Sequence, residues 1–299
     1  MPTRKYRVIF IISLIYSMGL VACTDQAKKT LRIGAIPDQN PERLNRLYGL
    51  LSSELSKELK IPVRYIPVTN YPAVVSAFRT GSLDLVWFGG LTGVQARLQK
   101  PGARVLAQRD IDANFRSVFI ANSQSGISAI KNPDELRKLR GRRFTFGSES
   151  STSGRLMPQY FLQQAGVELN DFAGQKPGFS GSHDATIALV QSGSFEAGAL
   201  NEKVWSAAQK NGRADQSKVK VIWISPTYPD YHWLVQPNLD QKFGNNFTRK
   251  LKNTLIGWNT NSETQCKILE IFGANRFIPA DAEQYIKIER IGRQLGKIQ

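Results

Sequence analysis

The chain has 299 residues, and its 40 Lys and Arg against 24 Asp and Glu give a formal net charge of +16. Hydrophobic residues make up 41% and aromatic residues 10%, an ordinary globular balance that excludes a disordered or fibrous chain. The 2 cysteines and 2 histidines are too few for a disulfide framework, a zinc cluster or a multi-histidine metal site, so we expect no metal or other cofactor.

The first 22 residues have the pattern of an export signal. Three basic residues precede a mostly apolar stretch over 8–21, which is too short to span a bilayer comfortably. The stretch runs into Leu-Val-Ala before Cys23, which resembles a bacterial lipobox. We therefore predict a lipoprotein signal peptide over 1–22, lipidation at Cys23 and a polar tether over 23–30. The product would be exported to the periplasm or cell surface and anchored to the membrane by lipid. The alternatives are a plain signal peptide or a short anchor with an incidental cysteine.

The basic charge could suggest a nucleic-acid partner. Removing residues 1–22 takes away three basic and no acidic residues, which lowers the charge from +16 to +13. The remaining Lys and Arg are scattered among Glu and Asp, and an exported protein seldom meets nucleic acid. We interpret the charge as a solvated basic surface that helps to attract anions or anionic lipid. We expect a monomer and no nucleic-acid partner.

The predicted elements of the first third alternate between strand and helix. Apolar residues at alternating or helical spacing predict strands at 31–36, 63–68, 83–88 and 103–108, and helices at 44–59, 71–79 and 91–98. This βαβαβ order implies a parallel sheet with helices on its faces.

A second α/β run follows a long strand at 115–121, which we expect to cross between two lobes. Its strands are predicted at 143–147, 195–200 and 219–224, and its helices at 153–165, 183–191 and 202–210. A second crossing is expected at 232–235, before a mostly helical tail with helices at 243–258, 264–272 and 282–295. We therefore predict an α/β protein with two hinged lobes and a ligand cleft between them, one lobe from 31–112 plus 233–299 and the other from 113–232.

The loop after the strand at 143–147 is the richest candidate site, because ligands of open α/β sheets bind beyond the carboxyl ends of strands. The N-terminus of the next helix leaves backbone N–H groups unpaired, with a partial positive charge behind them. Ser151, Thr152 and Ser153 add hydroxyl donors there, and Gly154 permits close approach of the backbone. The pattern predicts a site for a small anion. The alternative is an ordinary helix cap, for which a single Ser or Thr would suffice.

Three more loops supply candidate ligand contacts. His183 follows a glycine-rich turn at the start of a predicted helix, where it either donates to an oxyanion or caps the helix. Asp230 and Tyr231 lie in a Pro-rich loop beside the expected second crossing, as a ligand wall or as packing of the hinge. Gly90 and Thr92 follow the strand at 83–88, where adjacent glycines either turn N–H groups towards a ligand or form a tight turn.

Catalytic interpretations are weaker. The segment 178–182 nearly matches a nucleophile elbow, but its fifth position is Ser rather than Gly. His183 and Asp184 stand next to this segment, so an exported serine hydrolase acting through Ser180 or Ser151 stays open as an alternative. The chain has no Walker-type lysine loop and no dinucleotide glycine motif after a strand. Hydroxyl groups at a helix N-terminus without a dedicated base favour holding an anion, so we predict that the protein is not an enzyme.

Over 31–298 the chain resembles the PhnD-like solute-binding proteins of ABC importers for phosphonate, phosphite and phosphate. The likeness is carried by the segments 33–37, 83–89, 151–154 and 181–183. Longer segments resemble a branch described as selenate-binding proteins, namely 87–97, 144–158 and 228–233.

The resemblance implies a type II periplasmic-binding-protein fold, with an ABC permease and its ATPase as partners. It implies that Ser151, Thr152, Ser153 and His183 contact the oxyanion and that Asp230 faces it. A ligand-binding subunit for a membrane kinase would have the same ligand and another partner. The chain departs from the phosphonate binders at Gly93, where they carry an aromatic Tyr, so an aromatic wall for an organic substituent is missing.

The identity of the oxyanion depends on Asp230. A carboxylate beside the ligand repels a fully deprotonated anion and favours one with a proton that it can accept. Phosphite, phosphonate and hydrogen phosphate supply that proton near neutral pH, and selenate and sulfate do not. We therefore predict a phosphorus oxyanion if Asp230 points into the cleft, and selenate or sulfate if the site offers only donors.

Overall fold

The computed structural model describes Met1 and residues 29–299. The predicted signal peptide, apart from Met1, the lipidation site Cys23 and the tether up to residue 28 lie outside the described residues. Among the described residues, no helix combines the length and the apolar character that a bilayer crossing needs.

Strands and helices alternate along most of the chain. In chain order the strands are β1 (Leu31–Ala35), β2 (Val63–Tyr65), β3 (Leu85–Phe88), β4 (Arg104–Arg109), β5 (Ser117–Asn122), β6 (Phe144–Phe146), β7 (Gly178–Phe179), β8 (Ala197–Asn201), β9 (Val219–Ile224), β10 (His232–Val235) and β11 (Phe277–Pro279). The α-helices are α1 (Pro41–Leu59), α2 (Tyr71–Arg79), α3 (Gly90–Leu98), α4 (Met157–Gln164), α5 (His183–Gln191), α6 (Glu202–Lys210), α7 (Leu239–Phe243), α8 (Phe247–Gly257), α9 (Glu263–Phe272) and α10 (Ile286–Gln294).

Most predicted elements are confirmed, and α2, α5, α6, β9 and β10 have the predicted bounds. The predicted helix at 243–258 is wrong in one respect, because the chain breaks at Gly244, whose φ of 108° no helix allows. Strands β7 and β11 were not predicted, because they are edge strands too short to show a periodic pattern.

Two sheets form the two lobes of the predicted α/β fold. The first has the order β11-β4-β10-β3-β1-β2, and the second has the order β7-β6-β8-β5-β9. In the first sheet β1 pairs in parallel with β2 and β3, as the βαβαβ order predicts. In the second sheet β6 pairs in parallel with β7 and β8, and β5 runs antiparallel to its neighbours β8 and β9. The parallel strands direct their carboxyl ends, and the loops after them, towards the site.

The crossings between the two sheets differ from the predicted ones. Strand β5 pairs only within the second sheet and β10 only within the first, so neither strand crosses. The chain crosses instead through 110–116 and 225–231, which are held together by reciprocal backbone hydrogen bonds between Phe115 and Tyr228 of 2.9 and 3.0 Å. The expectation was wrong because both strands find full ladder partners on each side within their own sheet, and only the short paired linkers remain to form a hinge.

Helix α1 shows how the local sequence sets the edge of the cleft. The Asn40 side chain accepts from the backbone N–H groups of Glu42 and Arg43, and Pro41 stands at the first helical position, where no N–H is needed. The helix buries a row of leucines at 44, 47, 51, 55 and 59 against the first sheet. Full burial of a leucine contributes roughly 1.5–3 kcal/mol, so this row fixes the helix and leaves its capped end at the cleft.

Candidate functional site

The predicted anion-binding residues form a tight turn after β6, which we call the anion turn (Ser151–Gly154). Ser151 caps a π-helical turn over Thr152–Leu156, and its Oγ accepts a hydrogen bond of 2.9 Å from the Gly154 N–H. Regular α-helix begins only at Met157, later than predicted. The cause is Pro158, which has no N–H to donate to the Gly154 carbonyl. That carbonyl accepts from Gly147 N at 2.8 Å instead, which ties the anion turn to the end of β6.

The anion turn is buried between the lobes and keeps polar groups unpaired. Ser151, Thr152 and Ser153 are each at most 3% exposed. The Ser153 Oγ has no hydrogen-bond partner among residues 29–299. A Cβ added to Gly154 would lie 3.2 Å from His183 Cε1, so glycine lets the imidazole come close to the turn. The hydroxyl of Ser153 is therefore held in a buried place without a protein acceptor or donor of its own.

The N-terminus of α3 in the first lobe meets the anion turn directly. The Leu91 N–H donates to Thr152 Oγ1 at 2.9 Å, and the Gly90 N–H donates to Asp230 Oδ1 at 2.9 Å. The Thr92 hydroxyl turns inward and donates to the Gly89 carbonyl at 3.1 Å. These contacts bring Gly90, Thr152 and Asp230 together, whereas the Thr92 hydroxyl is engaged within its own helix.

Asp230 is fully buried beside Thr152 and Gly90. Its Oδ2 has no hydrogen-bond partner within the described part of the chain. Burial raises the pKa of Asp230 to about 7, the Gly90 N–H bond opposes this shift, and the charge of Asp112 adds to it. The carboxyl is thus partly protonated near neutral pH and can either accept or donate a proton at Oδ2.

His183 and Tyr231 belong to a hydrogen-bond network that joins the lobes. The Tyr231 hydroxyl donates to Asp38 Oδ2 at 2.8 Å and receives the Asn201 side-chain amide at 3.0 Å. His183 Nε2 lies 3.3 Å from the same hydroxyl, and its Nδ1 accepts from Asn201 N at 3.4 Å, which assigns the proton to Nε2. Burial lowers the pKa of His183 to about 4, so the ring is a neutral donor at pH 7.

Three residues of this region were missed by the sequence analysis. Tyr71 opens α2, is 1% exposed, and its hydroxyl has no hydrogen-bond partner among the described residues. Burial raises its pKa well above the ordinary value; the charges of Asp38 and Asp230 act in the same direction, and the Ser151 side chain acts against it. Asp38 and Asn201 carry the network just described. All three follow or end strands of the sheets, so the rule that singled out the other loops could have found them.

Gly93 explains why no aromatic wall occupies this part of the site. A Cβ at Gly93 would lie 2.1 Å from His232 Nε2, a distance that no side chain can accept. His232 is itself buried and packs on Tyr285 with ring centroids 4.1 Å apart. The ring of His232 therefore excludes any side chain at position 93.

The buried cations of the region have other contacts. Arg109 forms paired hydrogen bonds of 2.7 and 2.6 Å with Asp112 and lies over the Tyr231 ring at 4.8 Å. Arg155 packs over Phe146 at 4.3 Å, while its Nε and Nη1 have no hydrogen-bond partner among the described residues. Burial lowers its pKa to about 10, so it stays charged at neutral pH. No group of His, Cys, Asp and Glu in the described chain is arranged to hold a metal ion.

The serine hydrolase alternative is wrong, because its residues do not form a relay. Ser180 Oγ donates to the Ser182 carbonyl at 2.9 Å. Asp184 accepts from Asn40 N and pairs with an arginine, and it makes no bond to the His183 ring. A catalytic triad needs nucleophile, histidine and acid in one hydrogen-bonded chain, which is absent from these residues.

Comparisons with known proteins identify the family of this chain. A profile of the family described as "ABC transporter, phosphonate, periplasmic substrate-binding protein" matches residues 33–285. The chain is 55% identical over 270 residues to the probable ABC transporter phosphite binding protein PhnD1 of Prochlorococcus marinus, covering 90% of this chain and 91% of that protein.

Two solved structures share the fold of this chain. The structure of PhnD1 from Prochlorococcus marinus in complex with methylphosphonate has a TM-score of 0.89 and 55% identity, covering 90% of this chain and 99% of that one. A binding protein component of an ABC phosphonate transporter from Pseudomonas aeruginosa, 20% identical, shares the fold with a TM-score of 0.77 over 90% of this chain and 87% of that one. The chain therefore belongs to the periplasmic substrate-binding proteins of phosphonate ABC transporters.

Proposed function

We propose that this protein captures a small phosphorus oxyanion of the phosphite or methylphosphonate kind between its lobes and delivers it to an ABC permease and its ATPase. The observation that carries the proposal is that three of the buried polar groups without partners among residues 29–299, namely Ser153 Oγ, Asp230 Oδ2 and Tyr71 OH, lie in or beside the anion turn. Buried polar groups are normally paired, because leaving one unpaired costs about 1–3 kcal/mol. A tetrahedral anion in the cleft would supply the missing partners.

The anion turn would supply most of the donors. Serine and threonine hydroxyls and the N–H groups at the start of a helix suit the oxygens of a compact anion. Ser151, Thr152 and Ser153 would replace its water shell from the second lobe, and the neutral His183 ring, held at Nε2 by the Tyr231 hydroxyl, would line the anion beside Gly154. Gly154 would let the backbone approach the anion closely. Binding needs no chemical step, in keeping with a binding protein that is not an enzyme.

Asp230 and Tyr71 would complete the site on the opposite side. A proton shared between Asp230 Oδ2 and a ligand oxygen would be carried by either group, since the pKa of Asp230 is raised to about 7. This shift weakens the charge argument against selenate and sulfate, because a protonated carboxyl can donate to a dianion. The choice of phosphorus therefore relies on PhnD1, the 55% identical relative described as binding phosphite and solved with methylphosphonate.

The lobes would close on the ligand around the paired linkers 110–116 and 225–231. We assign residues 31–112 plus 233–299 to one lobe and 113–232 to the other. Bonds such as Leu91 N to Thr152 Oγ1 join the two lobes, so an anion that draws donors from both favours the closed form. Gly90 and Tyr231 would act here by holding Asp230 and His183 in place.

The protein would work as an exported monomer tethered by lipid. Export agrees with the family's periplasmic description, and we propose that the lipid is attached at Cys23. Mass spectrometry of the protein purified from membranes should show a diacylglyceryl group on an N-terminal Cys23, and Cys23→Ala should lose this modification. A wild-type protein whose N-terminus carries no lipid would contradict the anchor.

The ligand is tested by calorimetry and thermal shift with phosphite, methylphosphonate, phosphate, sulfate and selenate as separate probes. A ligand that binds only the folded state raises the midpoint of unfolding, so the tightest ligand gives the largest shift. We expect phosphite and methylphosphonate to bind more tightly than phosphate, sulfate and selenate. A clear preference for selenate or sulfate would replace the phosphorus ligand, and no binding of any of the five would overturn the proposal.

A further inference from the structure

Three arginines, Arg43, Arg46 and Arg213, line one cavity at the outer edge of the cleft, and we call them the arginine rim. The cavity has a volume of ≈ 570 Å³ and is shared by residues of α1 and of the turn after α6. Arg43 and Arg46 come from the first lobe and Arg213 from the second. The other residues that line this cavity are Asn40, Glu42 and Asn211.

The arginine rim is short of acidic partners. Arg213 pairs with Asp184, whose other carboxylate oxygen accepts from Asn40 N across the two lobes. Arg43 and Arg46 form no ion pair with any residue from 29 to 299; Arg43 donates only to the Ile271 carbonyl. Burial lowers the pKa of Arg43, the positive charges of Arg213 and Arg46 lower it further, and the negative charges of Asp184 and Asp38 oppose them. An anion placed between these side chains would relieve that repulsion.

One residue of the arginine rim, Arg43, also borders the interior of the molecule. Arg43 lines a second, inner cavity of ≈ 80 Å³ between the lobes, together with Asp38, Asn201 and Tyr231. Those three residues carry the hydrogen bonds to His183, which borders the anion turn. The inner cavity contains further charged groups at its walls, with Arg109 and Lys203 on the positive side and Glu270 on the negative side. Arg43 thus lines both cavities, and the inner one is bordered by the residues that hydrogen-bond to His183.

We infer that the arginine rim is a second anion site, which holds a free oxyanion briefly at the edge of the cleft before it passes to the anion turn. Charged walls around a cleft raise the local concentration of an oppositely charged ligand and its association rate by roughly 10 to 1,000-fold. The rim acts on the rate of capture, whereas the anion turn sets how long the ligand stays. This inference relies on the proposed ligand, and its test separates the two.

The test measures methylphosphonate association by stopped-flow tryptophan fluorescence, since Trp87 stacks at 5.8 Å on Tyr231, a residue of the linker 225–231 between the lobes. The variant is Arg43→Gln/Arg46→Gln. The matched control, Arg64→Gln/Arg137→Gln, removes two exposed arginines outside both cavities and so changes the net charge equally. A third variant, Arg43→Lys/Arg46→Lys, replaces the same two residues but keeps the rim charge. It therefore separates the effect of the charge from a folding defect.

At low ionic strength we expect the rim variant to associate about 3- to 10-fold more slowly than the control, with an unchanged dissociation rate. The difference should vanish in 1 M salt, where the screening length is about 3 Å, and the lysine variant should associate like the wild type. Equal association rates for the rim variant and the control, or a difference that persists in 1 M salt, would overturn the inference. Absence of methylphosphonate binding to the wild type would instead overturn the proposed function.

Discussion

The two walls of the site are built in different ways. The anion turn of the second lobe is four consecutive residues, held by Ser151 Oγ on the Gly154 N–H and by Gly147 on the Gly154 carbonyl. The wall opposite it, which we call the facing wall, combines separate segments: Asp38, Tyr71 and the N-terminus of α3 from the first lobe, and Asp230 of the linker 225–231, which accepts from the Gly90 N–H. The turn is local and prearranged, whereas the facing wall exists only as the tertiary fold assembles it.

Because of this difference, we expect the two walls to contribute differently to the affinity and to its pH dependence. In the proposed site the anion turn would supply a concentrated set of donors, so changes there should cost the most affinity. The facing wall supplies one hydroxyl, a titratable carboxyl network and the N–H groups that join the lobes, so changes there should alter affinity less and its pH dependence more. The predictions that follow test this order.

The largest effect is expected from Gly154→Val, which would place a branched side chain where a Cβ already lies 3.0 Å from Ser151 Oγ and 3.2 Å from His183. Displacing the anion turn by about 1 Å should weaken ligand binding by about 100-fold, the scale on which misplaced binding groups act. Calorimetry with methylphosphonate measures this loss. Gly49→Val is the control, because a Cβ at Gly49 meets nothing within 4 Å. A Gly154→Val protein with wild-type affinity would remove the turn from the site.

A smaller loss is expected from Ser153→Ala. Its Oγ has no partner in the described protein, so the change should leave the unfolding midpoint of the free protein nearly unchanged. The free energy of binding should become less favourable by about 1–3 kcal/mol, because a ligand oxygen loses a hydrogen bond from a hydroxyl group. Calorimetry measures the affinity and thermal unfolding measures the midpoint. The exposed Ser194→Ala is the control. Loss of stability without loss of affinity would contradict a ligand contact.

The pH dependence should reveal Asp230. Because burial raises its pKa to about 7, the carboxyl loses its proton above that pH, and the complex must then regain a proton to bind a dianionic ligand. We expect the affinity for methylphosphonate to fall by up to about tenfold per pH unit above pH 7. Asp230→Asn should flatten this dependence, whereas Asp134→Asn on the exposed surface should preserve it. A wild-type affinity that is constant from pH 7 to 9 would show that no proton is shared.

The smallest effect is expected from Tyr71→Phe on the facing wall. The phenol makes no hydrogen bond within the described residues, so its removal should not destabilise the free protein. A single neutral hydrogen bond to the ligand contributes about 0.5–1.5 kcal/mol, which sets the expected loss of affinity. Calorimetry measures it, with the partly exposed Tyr160→Phe as the control. A loss larger than that of Ser153→Ala would reverse the order of the two walls.

Sequence reasoning reached the anion turn because its signal is contiguous. Four hydroxyl residues stand directly before a glycine and after a predicted strand. This pattern predicts both the hydrogen-bond donors for an anion and their place in the fold. The same reasoning placed His183 at the start of α5, which the structure confirms. It could not state that Nε2 carries the proton or that the ring is neutral, because burial and the Asn201 N–H decide both.

The amino-acid order by itself determined the α/β elements, the two-lobed class and the anion turn, since helix caps, apolar periodicity and a run of hydroxyls act between near neighbours. Only the tertiary structure decided the crossing segments, the facing wall and the protonation of Asp230. Those features depend on strand pairing, burial and charges from residues far apart in the chain, such as Gly90 against Asp230 and Asp38 against Tyr231. Interactions between near neighbours can be predicted from the sequence, whereas the desolvation that shifts a pKa arises only in the assembled fold.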